Sequence, residues 1–100
     1  MKVQFLQSGG FVGLVKGCEF DTAVIAPELT LELERLVSGS GISSSGEYVS
    51  DTGRDLQQYE ITIEDENGKV SVMFDDLTIP QPAKPLVGFL KKHARPKPLN

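Results

Sequence analysis

Alternating apolar and polar residues at the start of the chain predict a β-hairpin. Residues 2–7 follow the two-residue period of a strand that buries one face, and residues 14–21 follow it again after a short glycine-rich segment. Pairing Phe5 with Cys18 places the apolar side chains of both strands on one face, so we expect these two residues to face each other. Gly17 weakens the second strand and is compatible with a bulge.

Two later segments show the apolar period of amphipathic helices. The first is predicted over residues 27–37 and begins at a proline, which suits the first helical turn. The second covers about residues 83–94 and ends before Pro96. Leu31 lies off the apolar stripe of the first helix, so it is either a second edge of the core or exposed. The two predicted stripes consist of Leu29, Leu33, Leu36 and Val37, and of Leu86, Phe89, Leu90 and His93.

A second hairpin is predicted between the helices, over residues 56–64 and 69–75. The pair Asn67-Gly68 favours a two-residue turn of type I′, in which both central residues have positive φ. That turn would set the register and place the apolar residues of both strands on one side. The predicted facing pairs are Glu66 with Lys69, Ile63 with Val72, and Ile61 with Phe74.

The order of these elements predicts an α+β domain of the form ββαββα. We expect a four-stranded, mostly antiparallel sheet with both helices packed on one face and a polar opposite face. Residues 1–95 are predicted to form a single domain, and residues 96–100 a disordered tail. The segment 38–54 is rich in glycine and serine, and a connection this long is either functional or partly disordered. Ile42 and Tyr48 are the large side chains that would tether it.

Composition narrows the classes of partner. The net charge is −4 over 100 residues, which argues against nucleic acid because phosphate binding needs a basic face. A single cysteine, Cys18, cannot form an internal disulfide and fits a reducing compartment. The first residues run directly into a strand pattern rather than a signal segment, and no apolar run approaches the ~20 residues of a membrane helix. We therefore expect a cytoplasmic protein, or one exported by a route that leaves no cleavable signal, with no membrane partner. We also expect a monomer.

Residues suited to catalysis or metal binding are few. His93 is the only histidine and sits at a helix end, where it is more typical of a dipole partner or surface residue. Cys18 is expected to be a small core residue, and the two do not have the spacing of a zinc site. The acidic pair Asp75-Asp76 is expected to solvate a strand end. We predict no catalytic residue, no metal site and no cofactor, so the chain is not expected to be an enzyme.

The glycine-rich segment between the first two strands is the candidate binding site. Three glycines surround Phe11 at the tip of a turn, where an aromatic side chain has little intrachain surface to cover it. Such a residue can serve as an anchor in a partner's pocket. The alternative is a tight hairpin whose Phe11 folds back onto the sheet. The candidate binding residues are Ser8, Gly9, Gly10, Phe11, Val12, Gly13 and Leu14.

The chain resembles the emfourin family. The similarity covers nearly the whole sequence, including the strand–glycine turn–strand opening, the first helix, the third strand and the last helix. It departs from the family pattern at Leu6-Gln7 and in the middle loop. The matching segments are Met1 to Phe5, Ser8 to Leu14, Asp21-Thr22, Leu33 to Val37, Gln58 to Asp65 and Pro85 to Leu90.

This resemblance implies a function. Emfourins are protein inhibitors of thermolysin-like zinc metalloproteases, notably protealysin, and their genes commonly lie beside the protease gene. The expected partner is therefore a protease of this type, encoded nearby, whose active-site cleft is blocked by residues 8–14. The loop 41–53 would add a second contact from the same end of the sheet. The alternative is a non-inhibitory module that binds another protein through its exposed sheet face or edge.

Overall fold

Six strands and two helices form the fold in the computed structural model, which describes residues 1–9, 15–50 and 56–97. A single 3-10 turn, Gln81–Ala83, leads into the second helix. In chain order the elements are β1 (Lys2–Gly9), β2 (Lys16–Asp21), α1 (Pro27–Gly39), β3 (Gly46–Tyr48), β4 (Gln57–Asp65), β5 (Gly68–Asp75), α2 (Lys84–His93) and β6 (Arg95–Pro96).

The sheet order is β3-β5-β4-β1-β2-β6, and every neighbouring pair is antiparallel except β3 with β5. The α+β class and the mostly antiparallel sheet are confirmed, but four strands and the order ββαββα were wrong. The two extra strands are the edges of the sheet, and they have three and two residues. Two or three residues are too few to show an alternation of apolar and polar positions. Pairing with the backbone of a neighbouring strand holds these short strands in place.

The register of the first hairpin is confirmed, with Phe5 opposite Cys18. The pairing runs without interruption along β1 and β2, so Gly17 does not form a bulge. A side chain at this position would instead collide, because its Cβ would lie 2.6 Å from the carbonyl oxygen of Phe5. Glycine is therefore needed at this point for close packing between strands.

The second hairpin forms where expected but with a different turn. Asp65 pairs with Gly68, so the two turn residues are Glu66 and Asn67, and every predicted pair is shifted by two residues. Among the described residues only glycines have positive φ, which rules out a type I′ turn at Asn67-Gly68. The Asp65 carboxylate accepts a hydrogen bond from the Asn67 N–H at 2.8 Å, which favours Asp65 as the first turn residue. A two-residue shift preserves the faces, so the predicted apolar side of the hairpin is still correct.

The core lies between the sheet and both helices. The apolar stripes of both helices pack on the inner side chains of the strands, as the periodicity predicts. Leu33 from α1 and Leu86 and Leu90 from α2 are fully buried, whereas Leu31 is 69% exposed and lies on the solvent side of α1. In the described part of the chain no helix is long and apolar enough to cross a membrane.

Candidate functional site

One end of the sheet carries the predicted binding segment. A row of paired residues crosses all six strands just before this end: Tyr48, Phe74, Tyr59, Gln7, Lys16 and Pro96. At this row, or within two residues beyond it, β1, β3 and β5 finish, and β2 and β4 begin. The connections 10–14, 49–56 and 76–80 therefore start or finish at the same end, which we call the loop end.

Ser8 and Gly9 form the last two residues of β1, while Gly10, Phe11, Val12, Gly13 and Leu14 lie outside the described residues. Gly9 has a φ of +101°, a conformation that favours glycine. A Cβ at this position would also lie 2.7 Å from the carbonyl oxygen of Leu56. Glycine is therefore required at position 9 by both backbone conformation and space.

Hydrogen bonds hold Gly9 and Val15, the residues that flank the 10–14 segment. On the β1 side, the Gln57 side-chain amide donates to the Gly9 carbonyl at 3.2 Å, and Gln7 donates to the Gln57 side-chain oxygen at 3.2 Å. On the β2 side, the Lys97 N–H donates to the carbonyl oxygen of Val15 at 2.7 Å. Lys97 directly follows β6. Pro96 and Lys97 were predicted to be part of a disordered tail, but both pair with the chain at the start of β2. The C-terminal segment thus holds the chain where it re-enters the sheet.

Asp75 organises the neighbouring part of the loop end. Its side chain is fully buried, contrary to the expectation that it solvates the end of a strand. Its carboxylate accepts hydrogen bonds from the N–H groups of Ser50 at 2.6 Å and Leu77 at 2.8 Å. These bonds, with the Ser50 bond the strongest influence, hold the pKa of the Asp75 carboxyl below its usual range. One carboxylate therefore holds both the chain after β3 and the turn after β5.

Asp76 connects this turn to β4. Its carboxylate accepts hydrogen bonds from the Gln57 N–H at 3.1 Å and from the Tyr59 hydroxyl. Burial, and then this contact with a carboxylate, raise the pKa of Tyr59 well above its usual range. The Lys91 ammonium lies 5.2 Å from the centre of the Tyr59 ring, within range of a cation–π interaction. The turn after β5 is thus fixed to the core through Tyr59.

Among the described residues, two large apolar side chains at the loop end are exposed. Leu77, in the turn after β5, is 69% exposed. Tyr48, at the end of β3, is 49% exposed and stacks on Phe74 with ring centres 5.7 Å apart. Tyr48 also borders an open groove of about 310 Å³ whose other walls include Ile42 and Pro82, and none of the described residues that line it is charged.

The residues weighed as candidate catalysts lie elsewhere. Cys18 is half-buried against the core, and its thiol donates to the Leu90 carbonyl at 3.5 Å. Burial raises the pKa of this thiol to about 11, so it is protonated at neutral pH. His93 packs edge-on against Phe20 with ring centres 5.4 Å apart. Within residues 1–9, 15–50 and 56–97, no group of three or more acidic, histidine or cysteine side chains is placed to hold a metal ion.

The turn from Asp75 to Thr78 is structured, which the sequence pattern did not predict. The Thr78 N–H donates to the Asp75 carbonyl at 3.1 Å, and the Asp75 N–H donates to the Thr78 hydroxyl at 2.8 Å. Aspartate at the first position of a turn, with a side chain that accepts from the N–H two residues later, is a recognised local signal. The adjacent pair of acidic residues obscured this signal because it is also typical of a solvated strand end.

Comparison with known proteins gives one match. The model of the emfourin family matches residues 5–91, which includes most of β1 and all of the 10–14 segment. Comparisons with curated proteins and with solved structures found no match.

Proposed function

We propose, because this chain belongs to the emfourin family of protease inhibitors, that it inhibits a thermolysin-like zinc metalloprotease of the protealysin type. Residues 8–14 would occupy the active-site cleft of the enzyme. The observation that carries this proposal is the family match, which spans residues 5–91 and contains this segment from end to end.

The geometry of the loop end supports this location for the contact. Gly9 is held in a left-handed conformation, and hydrogen bonds fix the chain at Gly9 and again at Val15. A segment with both ends fixed loses less conformational entropy on binding than a free peptide does. A small entropy cost favours tight binding of the segment in the protease cleft. A held backbone also resists the rearrangement that its cleavage by the protease would require.

Within the segment, we assign the main contact to Phe11. Its side chain would fill the apolar pocket that thermolysin-like enzymes use for the residue after the scissile bond. Gly10 and Gly13 would let the backbone lie close to the rim of the cleft. Burial of a phenylalanine side chain in such a pocket is typical of the few residues that supply most of an interface's binding energy.

Blocking the cleft does not require removal of the catalytic zinc. The whole chain has one histidine and one cysteine, and the Cys18 thiol is protonated and bonded to the core. Extraction of a tightly held zinc ion needs several convergent nitrogen or sulfur ligands.

Cys18 is also a free thiol, which suits a reducing compartment. We propose that the protein acts in the cytoplasm as a monomer, on a protease encoded nearby.

Titration of the purified protein into protealysin and thermolysin tests the proposal. We expect activity to fall with a stoichiometric end point, and metal analysis of the isolated complex to find one zinc ion per protease. Unchanged activity of both enzymes at micromolar concentrations of the protein would contradict inhibition and favour a binding module of another kind. Inhibition by a complex that has lost its zinc would instead contradict the cleft-blocking mechanism.

A further inference from the structure

We propose that Leu77 is a second anchor residue, which inserts into an apolar pocket of the same protease beside the pocket for Phe11. This inference rests on the proposed function and names a contact outside the 8–14 segment. The partner surface it requires is apolar, because the exposed part of Leu77 is a branched hydrocarbon with no polar atom.

Leu77 is one of the most exposed aliphatic residues in the described part of the chain. Its side chain is 69% exposed, as is that of Leu31, and Val24 is the other aliphatic side chain with comparable exposure in the described part of the chain. Leu31 lies on the solvent side of α1, and Val24 follows β2 at the end of the sheet opposite the loop end. Single exposed leucines are common and need no explanation by themselves. The position of Leu77 and the hydrogen bonds of the turn that carries it distinguish it from these two residues.

The position of Leu77 places it in reach of the same partner. Asp75 pairs with Gln58 on one side of β4, and Ser8 pairs with Gln58 on the other side. The turn after β5 and the end of β1 are therefore separated by two strand spacings, or about 10 Å. A typical protein interface buries about 800 Å² on each partner, which corresponds to a patch wider than this separation. A protease that covers residues 8–14 would therefore also meet the turn that carries Leu77.

Hydrogen bonds to the strands and within the turn hold the backbone that carries Leu77. The fully buried Asp75 carboxylate accepts the Leu77 N–H at 2.8 Å, and Thr78 closes the turn through backbone and hydroxyl bonds to Asp75. Asp76, which lies between Asp75 and Leu77, accepts hydrogen bonds from the Gln57 N–H and the Tyr59 hydroxyl of β4. Hydrogen bonds thus hold the backbone on both sides of Leu77, while its side chain projects into solvent.

Burial of the Asp75 carboxylate has a cost, because burial of a charge is unfavourable unless hydrogen bonds compensate for it, and here the N–H groups of Ser50 and Leu77 do so. The hydrogen-bonded turn holds the backbone of Leu77 in place before the partner arrives. Such preorganisation increases affinity because less ordering is needed on binding. The combination of fixed backbone, exposed leucine and proximity to residues 8–14 is that of a binding contact rather than of a solvated loop.

Inhibition constants of three variants test the proposal, each measured against whichever of protealysin and thermolysin the wild type inhibits. Leu77→Ala removes most of the apolar side chain, and we expect its inhibition constant to rise about 10- to 100-fold. Leu77→Met keeps apolar bulk and should remain within about threefold of the wild type. Leu31→Ala is the matched control, with the same residue type and the same exposure, and should leave the inhibition constant unchanged. Thermal unfolding of each variant confirms that the fold is retained.

The outcomes separate this inference from the function on which it rests. A wild type that inhibits neither enzyme overturns both proposals. A wild type that inhibits, with Leu77→Ala equal to it or with Leu31→Ala equally weakened, overturns the role of Leu77 alone. A selective loss in Leu77→Ala, restored in Leu77→Met, supports the second anchor, since a purely structural role for this exposed side chain would not produce it.

Discussion

The hydroxyl of Tyr59, a side chain buried on β4, donates a hydrogen bond to the carboxylate of Asp76 in the turn after β5. This bond joins the core of the domain to the loop end. Tyr59 also stacks on Phe5 with ring centres 6.1 Å apart, so the same side chain contributes to the centre of the sheet. The position of the turn therefore depends on a residue that the apolar pattern identifies only as part of the core.

Tyr59→Phe should lower the free energy of unfolding by about 1 kcal/mol, because it removes a hydrogen bond to a charged but solvent-accessible partner while keeping the ring. Chemical denaturation measures this change. Tyr48→Phe is the matched control: Tyr48 is half exposed, and its hydroxyl has no hydrogen-bond partner within the described residues. Equal stability losses in the two variants would show that the bond between Tyr59 and Asp76 contributes nothing specific.

Gly9→Ala should destabilise the protein by about 1–3 kcal/mol, because alanine resists a φ of +101° and its Cβ would lie 2.7 Å from the Leu56 carbonyl oxygen. It should also weaken inhibition, since it changes the direction in which the chain leaves β1. Gly88→Ala is the control. Gly88 lies within α2 with open space around it, so alanine there should be neutral or stabilising by up to about 1 kcal/mol. Unfolding midpoints and inhibition constants of the two variants give the comparison.

Stability should depend on the ionisation of Asp75. The folded-state pKa of this carboxyl is lowered, so its contribution to stability is fully present above its ordinary unfolded value. The contribution is lost as the pH falls below that ordinary value and through the folded-state pKa. Asp75→Asn should therefore be less stable than the wild type at pH 7, and the difference should shrink as the pH is lowered from 5 towards 3. A difference that stays constant over this range would contradict a role for the charged form.

Phe11→Ala should weaken inhibition by roughly 2–4 kcal/mol if Phe11 fills the apolar pocket of the protease. We expect little change in the free energy of unfolding. The inhibition constant and the thermal midpoint together decide between the two alternatives for this residue. A variant that inhibits normally contradicts the anchor role, and a variant that unfolds indicates that Phe11 belongs to the core of the domain.

The apolar pattern predicted the parts of the fold in which periodicity and burial coincide. Val3 and Phe5 on β1, and Leu33 and Leu86 on the helices, lie where their spacing places them. The turn of the second hairpin was predicted in the wrong place because two turn signals compete. Asn67-Gly68 is typical of the two central residues of a turn, whereas Asp65 and Gly68 are typical of its first and last residues. The Asp65 carboxylate decides between them by accepting the Asn67 N–H. Which signal wins depends on a side-chain hydrogen bond that residue composition does not reveal.

The edge strands and the buried Asp75 could not be predicted for a different reason. Pairing of Gly46–Tyr48 with β5, and of Arg95–Pro96 with β2, depends on where distant parts of the chain meet. Asp75 becomes buried because Ser50, 25 residues earlier in the sequence, provides a hydrogen-bond donor to its carboxylate. Neither local propensity nor apolar spacing contains this long-range information. The 8–14 segment, in contrast, was identified through its glycines and its resemblance to a family, and its role stays a prediction.

The strand β6 has a consequence for the behaviour of the protein at high concentration. An exposed strand edge invites pairing with other chains, and unprotected edges promote aggregation. Here the edge of β2 is covered by two residues, one of which is Pro96, and proline has no N–H to offer to an incoming strand. The opposite edge, β3, has only three residues. A protein that acts by the stoichiometric inhibition proposed above has to be present in at least the amount of its target, and edges this short offer few backbone groups for pairing between its own copies.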